Sequence, residues 1–180
     1  MCLGSHQTYF GTKMACGQTC QSNLNHANNP LAITNASPLI AFERLQRLDL
    51  LPQLFNVLHI PPAVRREVFG ARETPAWIVE QHLSQPISRQ ILATRLGAGE
   101  SETIALALEV TPHYVLLDDL AARRLAQSFN LNVLGTIGLL LLARQRNFLP
   151  ALRPSLDGLL AVDFRISEAL YDFALAQAGE

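Results

Sequence analysis

What most constrains this chain is an alternation that begins near Leu31, in which short apolar runs are each followed by a turn-former and then by helical spacing. Leu31 to Thr34 is such a run. Asn35 follows it, and then Ser37-Pro38, where Ser37 as N-cap and Pro38 at the first helical position predict a helix. That helix would bury Leu39, Ile40, Phe42, Leu45 and Leu48 on one face. Phe55 to Ile60 reads as a strand, Pro61-Pro62 opens a helix that Gly70 ends, and Trp77 to His82 is extended. Pro86 to Leu96 and Glu100 to Val110 have helical spacing on either side of Gly97-Ala98-Gly99. His113 to Leu117 and Asn132 to Leu134 read as strands, Asp119 to Phe129 and Thr136 to Arg146 as helices. Two further helices follow, near Pro150 to Ala161 and Ser167 to Ala178. This order predicts an α/β fold, a three-layer α/β/α sandwich around a central parallel sheet, with extra C-terminal helices. Ligands of such sheets bind beyond the carboxyl ends of the strands, near the topological switch point. Chemistry is therefore expected at Asn35-Ala36-Ser37, Asp118-Asp119 and Gly135-Thr136.

A chain of 180 residues, 49% hydrophobic and 16% charged, suits one packed domain. Residues 1–30 read differently: rich in Asn, Gln, Gly and Thr and without apolar periodicity, they are expected to be a flexible tail, with the domain spanning 31–180. Met14, or a start further on, is an alternative beginning of the functional chain. Cys2, Cys16 and Cys20 all lie in that tail. Cys16, Cys20 and His26 sketch a zinc site but lack the second ligand pair that such motifs need. A body without cysteine suits a reducing cytoplasm and excludes a cysteine nucleophile there. The longest apolar stretch, Val133 to Ala143, is about half of the roughly twenty residues that a membrane span needs. No basic segment followed by an apolar run marks a secretory signal. Net charge is −1, so no bulk positive field would gather nucleic acid. Lys13 is nevertheless the only lysine among the 14 basic residues, and Arg presents a planar fork suited to phosphate. A GC-rich codon usage explains that bias equally well.

The strongest chemical feature is Asp118-Asp119, directly after the apolar run Tyr114 to Leu117. Two carboxylates at a sheet edge need a cation or a helix N-terminus to compensate them. Asp119 as cap of the helix carrying Arg123 and Arg124 would account for one and leave the other unexplained. On spacing alone, Glu67 reads as part of a solvated Arg65-Arg66-Glu67 cluster, and Glu100 and Glu102 as first-turn partners of a helix dipole. Gly97-x-Gly99 lacks the third glycine and preceding strand of a dinucleotide site, and no Walker lysine follows it. The five histidines show no paired ligand spacing, and His59 and His113 are read as hydrogen-bonded structural residues. No Gly-x-Ser-x-Gly elbow occurs. The coherent chemistry that remains is a carboxylate-held Mg²⁺ or Mn²⁺.

The order of segments resembles a known family. Ile33-Thr34-Asn35-Ala36-Ser37-Pro38-Leu39-Ile40, Leu48-Asp49-Leu50-Leu51-Pro52 and Ile60-Pro61-Pro62-Ala63-Val64 with Glu67 look like the front half of a PIN domain. The likeness continues through Leu96 to Glu102, Leu116-Leu117-Asp118-Asp119 with Ala122-Arg123-Arg124, Gly135-Thr136-Ile137-Gly138, and the final Phe164-Arg165-Ile166-Ser167 and Leu170-Tyr171. More closely, the chain resembles an uncharacterised prokaryotic subfamily related to VapC-type toxins. The resemblance implies a nuclease that gathers acidic residues around one or two Mg²⁺ or Mn²⁺ ions and hydrolyses phosphodiester bonds, usually in RNA. By position it implies metal ligands at Asn35, Glu67, Glu100, Glu102, Asp118 and Asp119, with catalytic roles for Glu67, Glu102, Asp118 and Asp119. Ser37, Arg123, Arg124 and Thr136 would contact the phosphate. It also implies a small antitoxin partner and a homodimer. Two departures stand out: Asn35 occupies the place of an Asp, and Leu120 that of a basic residue.

The leading expectation is thus a divalent-metal-dependent ribonuclease, the toxin of a toxin–antitoxin pair, in the cytoplasm and away from membranes. A catalytically weakened PIN-like module that binds RNA or protein is the alternative. A small-molecule phosphohydrolase or receiver-like phosphoacceptor built on Asp118-Asp119 is a third, and the placement of the only lysine in the tail counts against it.

Overall fold

In the computed structural model, which describes residues 30–180, the apolar runs become five short strands. These are β1 (Ala32–Thr34), β2 (Leu58–Ile60), β3 (Ile78–Glu80), β4 (Tyr114–Leu116) and β5 (Val133–Leu134). They form one parallel sheet in the order β3-β2-β1-β4-β5, with Ile33 opposite both His59 and Val115, and Thr34 opposite Leu116. The three central strands β2, β1 and β4 are buried on both faces, whereas the outer strands β3 and β5 are partly open to solvent. Neighbouring residues go to opposite layers, as the two-residue period requires. Ile33, Val115 and Leu117 join Ile91, Ile104, Leu106 and Ala126 on one side. Ala32, Leu58, Ile60 and Leu116 join Phe42, Leu51, Leu140, Leu156 and Leu175 on the other.

The helices supply those layers. Helices α4 (Arg89–Leu92), α5 (Ala98–Val110) and α6 (Leu120–Ser128) cover the first face. Helices α1 (Ala36–Arg44), α2 (Leu50–Leu54), α7 (Thr136–Gln145), α8 (Arg153–Ala161) and α9 (Glu168–Ala178) cover the second. Helix α3 (Pro62–Val68) packs against both α1 and α5. The result is the expected α/β/α sandwich with added C-terminal helices. The Glu180 carboxylate accepts the N–H groups of Leu152 and Arg153, which ties the end of the chain to the start of α8. Those bonds hold the Glu180 carboxyl below its ordinary range.

Three local expectations change. Helix α1 starts at Ala36 with Asn35 in the N-cap position, so Ser37 and Pro38 lie inside its first turn. It ends at Arg44, because Gln46 is left-handed (φ 56°), and the leucines beyond form the separate helix α2. The helix expected over Pro86 to Leu96 is only four residues long. Of that segment only Ile91 is buried, so packing rewards one turn and little more. Among the described residues no helix is long and apolar enough to cross a membrane. The expected tail, its cysteines and the sketched zinc site fall outside the described residues, apart from Pro30.

The chain steps outward from β1 to β2 to β3, then returns to β4 on the other side of β1 and steps out again to β5. The direction of winding therefore reverses between β1 and β4. Asn35 and Asp118 follow those two strands, and the Asn35 N–H donates to Leu116 O at 3.1 Å.

Candidate metal and phosphate site

Asp118 stands at this switch point. The Leu117 N–H donates to Leu134 O at 2.9 Å, carrying the sheet pairing to the residue before it. The Thr136 N–H then donates to Asp118 Oδ1 at 2.8 Å and the Thr136 hydroxyl to Oδ2 at 2.7 Å. Both oxygens of the carboxylate are thereby fixed in plane by the first residue of α7. Burial pushes the Asp118 carboxyl above its ordinary range, against the Thr136 hydrogen bonds and the positive charge of Arg123, which pull it down. The space is closely filled: a Cβ on Gly135 would lie 3.0 Å from Asp118 Oδ1 and would collide with Arg123. A desolvated carboxylate with two fixed donors and a nearby cation is arranged to hold further positive charge.

Asp119 behaves differently. Its Oδ1 accepts the Ala122 N–H at 2.8 Å, the N-cap bond of α6, and the residue is exposed. Arg123 is half-buried beside Asp118, whereas Arg124 is exposed and forms no ion pair among the described residues.

Asn35 is 1% exposed, and neither its Oδ1 nor its Nδ2 has a hydrogen-bond partner. Leaving such a group unpaired costs about 1–3 kcal/mol, so a side chain held there calls for a ligand. A divalent cation would satisfy Oδ1, and a phosphate oxygen or water would satisfy Nδ2. The Asn35 orphan and the Asp118 carboxylate follow the neighbouring strands β1 and β4, and an amide oxygen with a carboxylate is the donor chemistry that Mg²⁺ or Mn²⁺ takes. Mg²⁺ in particular uses one or two carboxylates and completes its shell with water and substrate phosphate.

Glu67 and Glu102 lie where α3 meets α5. Glu102 Oε2 accepts the Ala63 N–H at 2.8 Å, in the first turn of α3, and Oε1 lies 4.0 Å from Arg66. Glu67 Oε2 lies 3.2 Å from the position a Cβ would take on Gly99, so this glycine lets the two helices approach. Glu100 folds back over Gly97, the N-cap of α5. Among the described residues no three His, Cys, Asp or Glu side chains lie together as a ready-made metal cage. His113 Nδ1 accepts the Leu31 N–H at 3.1 Å, while the buried His59 Nδ1 lacks the hydrogen bond expected of it.

Two cavities share Asp118, Phe164 and Arg165 as walls. One, of about 360 Å³, is also lined by Ser37, Arg44 and Asp163. The other, of about 450 Å³, adds Arg123, Gly135 and a set of apolar side chains. Arg44, Arg123 and Arg165 make no ion pair among the described residues, so their forks remain available to phosphate. Arg44, Asp163 and Arg165 escaped the sequence reading. The spacing Ser37, Ile40, Ala41, Arg44 did mark one helical face, and Arg44 was legible from it. Asp163 and Arg165 reach the site from the loop between α8 and α9, where Asp163 is left-handed (φ 60°), and no local pattern foretells that placement.

Residues 31–180 match the model of DUF3368, a family described as a PIN domain. No curated protein matches the sequence significantly.

Proposed function

Because this chain belongs to the PIN-domain family, whose members are generally metal-dependent nucleases, we propose that it hydrolyses phosphodiester bonds in RNA with Mg²⁺ or Mn²⁺. The carrying observation is the pair at the switch point: a desolvated Asp118 held by Thr136, and a buried Asn35 with no partner. Asp118 and Asn35 are assigned as the first ligands, with Glu67 and Glu102 as further acidic groups toward the substrate. Asp119 is assigned chiefly to capping α6, and Glu100 to the first turn of α5.

The residues divide the work. Thr136 orients the Asp118 carboxylate, the kind of support whose loss typically costs 10–100-fold in metal affinity or activity. Arg44, Arg123 and Arg165 hold the phosphates on either side of Asp118, with Ser37 and Arg124 as further contacts. The Asn35 amide N–H donates to a phosphate oxygen. When bound, the cation lowers the pKa of the attacking water and neutralises charge on the phosphate.

The finer reading rests on the resemblance: a VapC-like toxin, cytoplasmic and dimeric, neutralised by a small antitoxin. A specific observation favours one alternative. With Asn35 in place of a carboxylate and no three acids together among the described residues, a weakened module that binds RNA without efficient cleavage fits the same geometry.

Cleavage of a structured RNA by the purified chain separates these. The proposal expects cleavage with Mn²⁺, its loss in excess EDTA, and its return when Mn²⁺ is restored. RNA that is bound but never cut at any Mn²⁺ or Mg²⁺ concentration would favour the module.

A further inference from the structure

Beside the phosphate site lies an apolar surface that metal chemistry does not explain. Leu120, Leu170 and Phe173 are 59%, 41% and 56% exposed, and all three line the larger cavity. Leu120, the first residue of α6, adds apolar surface directly after Asp118-Asp119. Ile137 and Leu141 of α7 line the cavity as well, together with Arg123 and Arg165. A water-filled hydrolytic site has no need of exposed Leu and Phe at its edge.

We propose that this cavity is a base subsite: it takes one unstacked nucleobase of a single-stranded RNA whose neighbouring phosphate lies at Asp118. The inference rests on the ribonuclease reading and deepens it. Asp118 is part of the cavity wall, so a phosphate bound beside it has the cavity within reach of its flanking nucleotide. A volume of about 450 Å³ lies in the range of small-molecule sites and admits a planar ring with its sugar. Phe173 offers a stacking face, and the leucines close over the base edges. Arg123 and Arg165, without ion-pair partners among the described residues, complement the phosphates on either side. Stacking tolerates any base, so the pocket fixes register along the strand more than sequence.

The test uses the full-length chain with Ca²⁺ in place of Mn²⁺, so that the acidic site is filled, and gel analysis verifies that the oligomers stay intact. Binding is measured for a pentaribonucleotide and for versions carrying one abasic residue at each position in turn. One position should dominate, its abasic form binding about tenfold more weakly. Phe173→Ala should lose about the same on the intact strand and nothing further on that abasic form. Phe173→Tyr, which keeps the ring, should retain both the affinity and the base dependence. Phe173 is exposed, so its truncation leaves the core filled, and a thermal melt verifies this. Losses that simply add would overturn the base subsite while leaving the nuclease reading intact. RNA binding unchanged by Phe173→Ala, with a fall from dimer to monomer in light scattering, would also overturn it and make the patch an interface between copies. No binding of any pentamer by the unaltered chain would overturn this inference, and cleavage of longer RNA would then decide the parent reading separately.

Discussion

Asp118→Asn should lower Mn²⁺-dependent RNA cleavage at least about 100-fold, because a ligand carboxylate that supports several kcal/mol of charge stabilisation is lost. The fold should survive the change. Burial already disfavours the charged form of this side chain, and an amide keeps an oxygen to accept the Thr136 N–H. The adjacent Asp119→Ala should show the opposite balance. It removes the cap bond to the Ala122 N–H, costing about 1 kcal/mol of stability, and a much smaller share of cleavage. Chemical denaturation and initial cleavage rates on the same preparations measure both. Equal losses of activity in the two variants would mean that the pair acts as one site, contrary to the division drawn here.

Asn35→Asp should separate stability from metal binding. Position 35 is buried and offers its side chain no partner, so a carboxylate there is uncompensated without a cation. An unpaired buried charge costs on the order of 3–5 kcal/mol, and for a chain of this length each kcal/mol shifts Tm by roughly 2–4 °C. The metal-free variant should therefore melt roughly 6–20 °C below the parent chain. Mn²⁺ should recover most of that difference and bind more tightly than in the parent, since a charged ligand replaces a neutral one. Cleavage should rise with it. A low Tm that Mn²⁺ leaves unchanged would remove Asn35 from the metal site.

These expectations show where sequence and structure divide. The alternation of apolar runs and helices, read with no more than turn chemistry, yields the sheet, its two covered faces and the added C-terminal helices. Asp118 was legible because the carboxyl end of an apolar strand is where such sheets bind ligands. Its contrast with Asp119 was legible as one reading, Asp119 as the cap of the following helix, but the backbone turn after Leu117 decides it. Ser37 looked like a helix start because Pro38 suits a first turn, yet the strand ends at Thr34 and the turn is made at Asn35. Helix α2 was hidden by the leucine run through Leu45, Leu48 and Leu51, whose helical spacing continues across the left-handed Gln46. The loop that brings Asp163, Phe164 and Arg165 to Asp118 leads into α9, which packs on α7. No local pattern records a contact between residues that far apart in the chain.

In the proposed mechanism Asp118 anchors a divalent cation at the β1–β4 switch point. Calorimetric titration of Mn²⁺ into the chain and into Asp118→Asn, after chelator treatment and at the same pH, tests it without reference to any RNA. The account predicts saturable binding to the unaltered chain and loss of most of that affinity in the variant. Equal Mn²⁺ affinity in the two proteins would contradict it.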